Sequence, residues 1–314
     1  MRQDQPSGLN ALLKTRIAPT PSGFLHLGNA LSFALTWALA RQQGGGVALR
    51  IDDLDNARFR PEYLQDIFDT LHFLGLDYDE GPRDPADFRQ NYSQLHRLPL
   101  YHELLERLVQ QGLVYACPCS RTQIAAVSPA GIYPGTCRDK QVPLSAPGTA
   151  WRLRVPEETV VRFSDLVLGE VAVPLGEGMP DFVVRRKDGI PAYQIASVVD
   201  DVRMGVNLVV RGQDLLSSTA AQLFLARLAG EEAFGQVRFV HHPLVREADG
   251  SKLSKSHDSL SLFELRKRGV RPEEVWRMLA RMLGWREEVE NARAFRERFR
   301  MEEVQRDLPP ILPL

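Results

Sequence analysis

Apolar residues fall along this chain in two rhythms, and the alternation between them predicts the architecture. A short apolar run, TRIAPTP (15–21), predicts a strand ended by Pro19 and Pro21. SGFLHLGNALSFALTWALARQQGGG then predicts a turn and a long helix, stopped by Gly44 to Gly46. VALRID (47–52) has the apolar density of a buried strand. Apolar positions at three- and four-residue spacing predict helices over 61–75 and 91–111. Strand, helix, strand at this spacing makes a right-handed parallel unit, so the first hundred residues are expected to be doubly wound.

The rhythm breaks over 113–180, which is rich in proline and glycine and holds short strand-like pieces such as WRLRV (151–155). This segment is expected to be an insertion between two halves of a sheet. Alternation resumes with DFVVRR (181–186), VNLVVRG (206–212) and the helix SSTAAQLFLARLAG (217–230). Helical spacing covers 260–300, and the tail RDLPPILPL is expected to be loosely ordered. The predicted chain is thus α/β in four parts. Residues 1–112 and 181–256 form the halves of a doubly wound parallel sheet, 113–180 is inserted, and 257–314 is helical.

Composition narrows the class. The 314 residues are 44% hydrophobic and 25% charged, as in soluble globular chains, and no run of about eighteen apolar residues suggests a membrane span. The N-terminal MRQDQPSGLNALLKTR lacks the apolar stretch of a secretory signal, so a cytoplasmic protein is expected. A net charge of −1 argues against a generally basic nucleic-acid coat, although a local patch can still bind RNA. Only six of the 39 basic residues are lysine, and two of them, Lys252 and Lys255, lie three positions apart.

Three motifs carry candidate chemistry. In PSGFLHLGNA (21–30) a glycine turn opens a helix, directing free N–H groups and the positive helix end toward an anion. His26 there is either a phosphate donor or an ordinary cap. DGSKLSKSHD (249–258) sets Lys252 and Lys255 among serines, a composition suited to a clamp on phosphate oxygens, or simply to a solvated loop. Cys117, Cys119 and Cys137 are all the cysteines of the chain and fall within 21 positions. Clustered thiols in a cytosolic chain suggest metal ligands more than a disulfide, with buried inert cysteines as the plain alternative. Tetrahedral zinc wants four ligands, and none of the seven histidines lies in this segment.

HLGN and KLSKS together resemble the two signatures of class I aminoacyl-tRNA synthetases, usually written HIGH and KMSKS. RIAPTPSGFLHLGNA, LRIDDLD, LGLDYDEGP, YQIASVVDD and VVRGQDLL resemble glutamyl-tRNA synthetase segments in order, over roughly residues 15–285. The resemblance implies a Rossmann-type sheet. It places Arg16, Ile17, Ala18, Pro19, Thr20, Asp52, Tyr193 and Arg211 around a glutamate, and His26, Gly28, Asn29 and Lys255 around ATP. Arginine suits the substrate's carboxylate and Asp52 its ammonium group. Where the family usually has RIED this chain has RIDD, one methylene shorter, a feature also similar to glutaminyl enzymes.

The spacing C-x-C…Y-x3-C resembles the zinc site of one subgroup, the glutamyl-Q tRNA(Asp) synthetases, and so implies Tyr133 as the fourth ligand of a single structural zinc. The 58 residues after Ser256 are too few for the anticodon-binding region of ordinary glutamyl enzymes, which points to the same subgroup. The implied reaction joins glutamate to ATP without tRNA, with Mg²⁺ accompanying ATP, and passes the glutamyl group to queuosine in the anticodon of tRNA(Asp). His26, Lys252 and Lys255 are the implied catalytic residues, in a monomer with no membrane partner. A shortened synthetase charging a tRNA 3′ end and a non-catalytic RNA-binding relic are the competing readings. Activation that needs tRNA(Glu) would mark the first, and failure to bind ATP the second.

Overall fold

The computed structural model of the chain describes residues 12–55, 57–244 and 261–305. The KLSKS stretch with Lys252 and Lys255, the N-terminal segment 1–11 and the tail RDLPPILPL lie outside the described residues. Strand β1 (Lys14–Ile17) leads into helix α1 (Leu27–Gln42) and back to β2 (Gly46–Leu49), which pairs parallel to β1. Helix α1 is apolar nearly all round, as a helix enclosed in a core must be. It turns sharply into β2 because Gly45 sits so close to Leu13 that a Cβ would lie 2.7 Å from the Leu13 carbonyl. Helix α2 (Pro61–Leu74) starts with proline at its first position and ends at Gly75, whose φ of 66° is the left-handed cap that glycine adopts readily.

The helix expected over 91–111 is shorter than predicted: α3 runs Leu98–Gln110. The preceding turn is held elsewhere, since the Ser93 hydroxyl and the Gln94 N–H both donate to Asp53, at 2.5 and 2.8 Å. Next comes the cysteine segment. Strand β3 (Val114–Cys117) pairs antiparallel with β4 (Ala150–Leu153), and helix α4 (Arg121–Val127) lies between them in sequence. Residues 128–149 contain neither helix nor strand.

Two pairings cross the sequence boundaries at 113 and 180. The hairpin β5 (Val160–Asp165) and β6 (Gly169–Pro174) joins β9 (Arg238–His242), and β7 (Val183–Arg185) completes the sheet of β3 and β4. Helix α5 (Tyr193–Arg203) precedes β8 (Leu208–Gly212), and α6 (Leu216–Ala229) returns the chain to β9, parallel to β8. β8 lies against β1, joined where Asn207 N–H donates to the Lys14 carbonyl at 3.0 Å. One βαβ unit therefore winds away from β1 and the other away from β8. The crevice beyond Ile17 and Arg211 is the point where strand order reverses, the place where open α/β sheets bind ligands.

Helices α7 (Leu262–Lys267), α8 (Pro272–Met282) and α9 (Ala292–Arg298) divide the region expected to be helical. Trp276 and Trp285 pack on Phe295 with ring centres 5.2 and 5.0 Å apart, in the same core as α1 and α2. Asp66 of α2, almost fully buried, ties this end to the glycine turn. It accepts from Leu25 N–H at 3.0 Å and pairs with Arg266 of α7 at 2.5 Å. No helix among the described residues is long and apolar enough to cross a membrane.

Candidate active site

A cavity of about 380 Å³ occupies the crevice where strand order reverses. Arg16, Ile17, Ala18 and Thr20 line it from the end of β1, and His26, Gly28 and Asn29 from the start of α1. Asp52, Tyr193 and Arg211 complete the set singled out in the sequence. Pro19 differs. It is buried behind the wall, its carbonyl accepting the Asp52 N–H at 2.9 Å, so it positions Asp52 and does not face the cavity.

His26 caps α1. Its Nδ1 accepts from Asn29 N–H at 3.3 Å, while the Asn29 side chain accepts from His26 N–H at 3.1 Å. A neutral ring that accepts at Nδ1 carries its proton on Nε2, so capping and donation to an anion are compatible. His26 also bridges to Ser261, and Leu262 N–H donates to the Leu25 carbonyl at 2.7 Å. Leu244, on the other side of the undescribed stretch 245–260, lines the cavity. Of the described residues that flank 245–260, Leu244 lines the cavity and Ser261 bridges to His26 of its wall.

Beneath the cavity Arg16 and Asp52 belong to an array of buried charges whose other members, Arg50, Arg97, Asp200 and Asp201, are not singled out by the sequence motifs. Asp201 Oδ1 accepts from Arg16 Nε at 3.0 Å and from an Arg50 nitrogen at 2.6 Å. Arg50 forks onto Asp52 at 2.7 and 3.2 Å, and Gln94 bridges Asp52 to Asp200 at 3.3 and 3.0 Å. Asp200 is paired with both Arg97 and the Tyr101 hydroxyl. The two carboxylates on Arg50 respond oppositely. Burial works against the charge on both, but Asp201 faces Arg16, Arg50 and Arg211, which hold its pKa below the ordinary value. Asp52 has Arg50 as its one ion-pair partner among the described residues and the Asp200 charge nearby, so burial wins and its pKa rises.

Arg211 stands apart. It is 5% exposed and has no carboxylate within ion-pair distance among the described residues. One terminal nitrogen donates to Thr219 Oγ1 at 2.6 Å and to Gln222 Oε1 at 2.9 Å, both neutral acceptors, while its buried Nε has no partner. Burial lowers its pKa, the neighbouring Arg16 charge adds to this, and Tyr193 and Asp201 oppose it. The cavity wall thus carries a cation with no carboxylate in direct contact, Arg211, and also the Asp52 side chain. Such a site suits a small zwitterion bearing an extra carboxylate.

A wider cleft of about 1050 Å³ adjoins this cavity and shares Thr20, Asp52 and Tyr193 with it. Its far wall comes from the cysteine segment, through Cys119, Ser120, Arg121 and Ile124, and its sides carry Arg58, Arg152, Arg186 and Lys187. The sulfur atoms of Cys117, Cys119 and Cys137 lie within 4.8 Å of one another, placed to hold a metal ion. Tyr133 is 3.4 Å from Cys117 Sγ through its hydroxyl, which also accepts from Cys137 N–H at 2.8 Å. Burial opposes ionisation of Cys117, yet hydrogen bonds from Tyr133 and Arg152 bring its pKa down to about 7. Burial and the neighbouring thiols push Cys119 up to about 11. Three sulfurs this close cannot all be anionic without a cation among them.

The chain matches the family described as tRNA synthetases class I (E and Q), catalytic domain, over residues 12–309. It is 43% identical to a glutamyl-Q tRNA(Asp) synthetase of Symbiobacterium thermophilum over 90% of each chain. It is 40% identical to one from Nitratidesulfovibrio vulgaris over 87% of each. A glutamate–tRNA ligase of Nitrosomonas europaea is 39% identical over 87% of this chain, which spans 58% of that protein's length. The crystal structure of a glutamate tRNA ligase from Elizabethkingia meningosepticum shares the fold, with a TM-score of 0.76 at 24% identity, covering 96% of this chain and 67% of that one.

Replacing Asp201 with alanine leaves Arg16 and Arg50 buried beside a missing partner. The expected loss is about 3–5 kcal/mol of stability in urea denaturation. A loss below about 1 kcal/mol would show that these charges do not hold the elements together.

Proposed function

The chain belongs to the glutamate and glutamine class I tRNA synthetases, a family of ligases, and we propose that it activates glutamate and passes it to queuosine in the anticodon of tRNA(Asp). The observation that carries the first half is Arg211, a buried guanidinium held by neutral groups in a cavity of amino-acid size that Asp52 also lines. In this reading Arg211, with Arg16, receives a glutamate carboxylate, Asp52 faces the ammonium group, and Tyr193 closes the side toward the cleft. The shorter Asp52 stays fixed because Arg50, two residues before it, holds both its oxygens.

The glutamate α-carboxylate attacks the α-phosphorus of ATP. A carboxylate oxygen forms the new P–O bond, and the bond to pyrophosphate breaks. Gly28, Asn29 and the Nε2–H of His26 hold phosphate oxygens at the α1 N-terminus. Lys252 and Lys255 offset the charge that develops on the leaving pyrophosphate, a role supported by the flanking residues Leu244, which lines the cavity, and Ser261, which bridges to His26. Mg²⁺, bound with ATP, supplies further charge neutralisation. No protein nucleophile is required, since positioning and electrostatics carry the step.

The acceptor approaches through the wider cleft, where a hydroxyl of the queuosine cyclopentene ring meets the activated carboxyl carbon and releases AMP. The support is the cleft's shared wall with the glutamate cavity, its arginines and lysine, and two glutamyl-Q relatives that match along most of both chains. Cys117, Cys119, Cys137 and Tyr133 hold one zinc ion that pins the far wall of this cleft. Soft thiolates at close quarters select such a metal, and four protein ligands leave no position for substrate.

Two measurements follow. Glutamate-dependent exchange of pyrophosphate into ATP is expected with no tRNA present, and Lys255→Ala should lower it by about two orders of magnitude or more. Exchange that appears only with tRNA(Glu) would assign the chain to 3′-end charging instead. The purified protein should hold one zinc per chain by elemental analysis, and Cys137→Ser should lose it together with thermal stability. A parent protein free of zinc refutes the metal assignment.

A further inference from the structure

Behind Arg211 runs a chain of buried polar groups that the proposed reaction does not use. Thr219 Oγ1, which accepts from Arg211, lies 2.7 Å from His241 Nε2, and His241 Nδ1 lies 2.7 Å from Asp165 Oδ2. Thr219 and His241 are fully buried, and Asp165 is 4% exposed. Asp165 is itself fixed at the end of β5, its other oxygen accepting Val167 and Leu168 N–H at 2.9 Å each. The Oδ2 atom also receives the His241 backbone N–H at 3.1 Å. Three elements distant in sequence, β5, α6 and β9, thus meet on one side of a single arginine.

The directions of these bonds follow from the charges. Asp165 keeps its charge against burial through His241 and two backbone donors, while burial and the nearby Arg211 cation keep His241 neutral. A neutral ring beside a carboxylate puts its proton on Nδ1, so Nε2 is an acceptor; at 2.7 Å it takes the Thr219 hydroxyl hydrogen in preference to the Leu215 carbonyl, which lies 3.1 Å from the same oxygen. With that hydrogen committed, Thr219 turns a lone pair toward Arg211. Gln222 Oε1 supplies the second acceptor on the same nitrogen.

We propose that Asp165, His241, Thr219 and Gln222 form a positioning device that aims Arg211 at the carboxylate of the amino-acid substrate. The inference rests on the reading of Arg211 as that carboxylate's partner. Its physical point is that the guanidinium touches only neutral oxygens. A carboxylate directly on Arg211 would fix it equally well but would use up the charge the substrate needs. Placing Asp165 two side chains away offsets the buried cation electrostatically and leaves its remaining N–H donors for the ligand. Thr219 is a positioning residue in this scheme and touches no substrate.

Steady-state pyrophosphate exchange on the full chain, with glutamate and ATP varied separately, tests this. Thr219→Val keeps the shape and removes the hydroxyl, and Gln222→Met removes the other acceptor. Each is expected to raise KM for glutamate about tenfold, the scale of one hydrogen bond to a charged group, with KM for ATP unchanged. Thr219→Ser restores the hydroxyl and should bring KM for glutamate back to within about threefold of the parent, which a packing role alone would not predict. If Arg211→Ala raises KM for glutamate while Thr219→Val and Gln222→Met do not, the positioning proposal is overturned and the reading of Arg211 stands. If Arg211→Ala leaves that KM unchanged, the underlying reading falls.

Discussion

The structure depends on the buried set of arginines and aspartates beneath the crevice. Arg16 comes from β1, Arg50 and Asp52 from the end of β2, Arg97 from the turn before α3, and Asp200 and Asp201 from α5. Each would cost several kcal/mol to bury alone, so none is tolerable until the others arrive. Assembly is therefore close to all-or-none and fixes the two βαβ units against each other. The same set leaves Arg211 beside the Arg16 guanidinium and without a carboxylate at ion-pair distance among the described residues. An apolar core would hold the strands as well, but it would not create a site that lacks one negative charge.

The second constraint is the cysteine segment. Its own core is small, built on Tyr115, Cys117, Ile124, Tyr133 and Cys137. The 22 residues of 128–149 cross it without regular structure. So little apolar surface is a weak anchor for that much chain, and the proposed metal among the thiols would supply a cross-link. Arg152 reinforces it from β4, stacked 3.6 Å over the Tyr133 ring. Because Cys119 and Arg121 line the wide cleft, the cysteine segment shapes the wall of the space that adjoins the crevice.

Much of this was legible in the sequence. The strands around 47–52 and 206–212 and the helix after the glycine turn are dense apolar runs with clear stops, and the structure has β2, β8 and α1 there. Arg16, Asp52, Tyr193 and Arg211 could be picked out from motifs, and all four line one cavity. Partnerships were not legible. Arg16 and Asp201 are 185 positions apart, and no local pattern joins them. The signal that was available lay in YQIASVVDD, where two adjacent acids fall on the buried side of a helix beside Ile195, Ala196 and Val198. Strands β5 and β6 escaped notice because one face of their hairpin is exposed and their alternation is weak. Ser93 and Gln94 show the reverse failure: a helical spacing was real, but their hydrogen-bonding groups are committed to Asp53.

In the proposed reaction, glutamate activated in the crevice leaves through the cleft to an anticodon nucleoside. The most direct test of this claim is the position of the label after incubation with radioactive glutamate, ATP and queuosine-bearing tRNA(Asp). Nuclease digestion of the product should release the label attached to queuosine, and tRNA(Asp) with unmodified guanosine at that position should take up none. Label recovered on the terminal adenosine would contradict the claim.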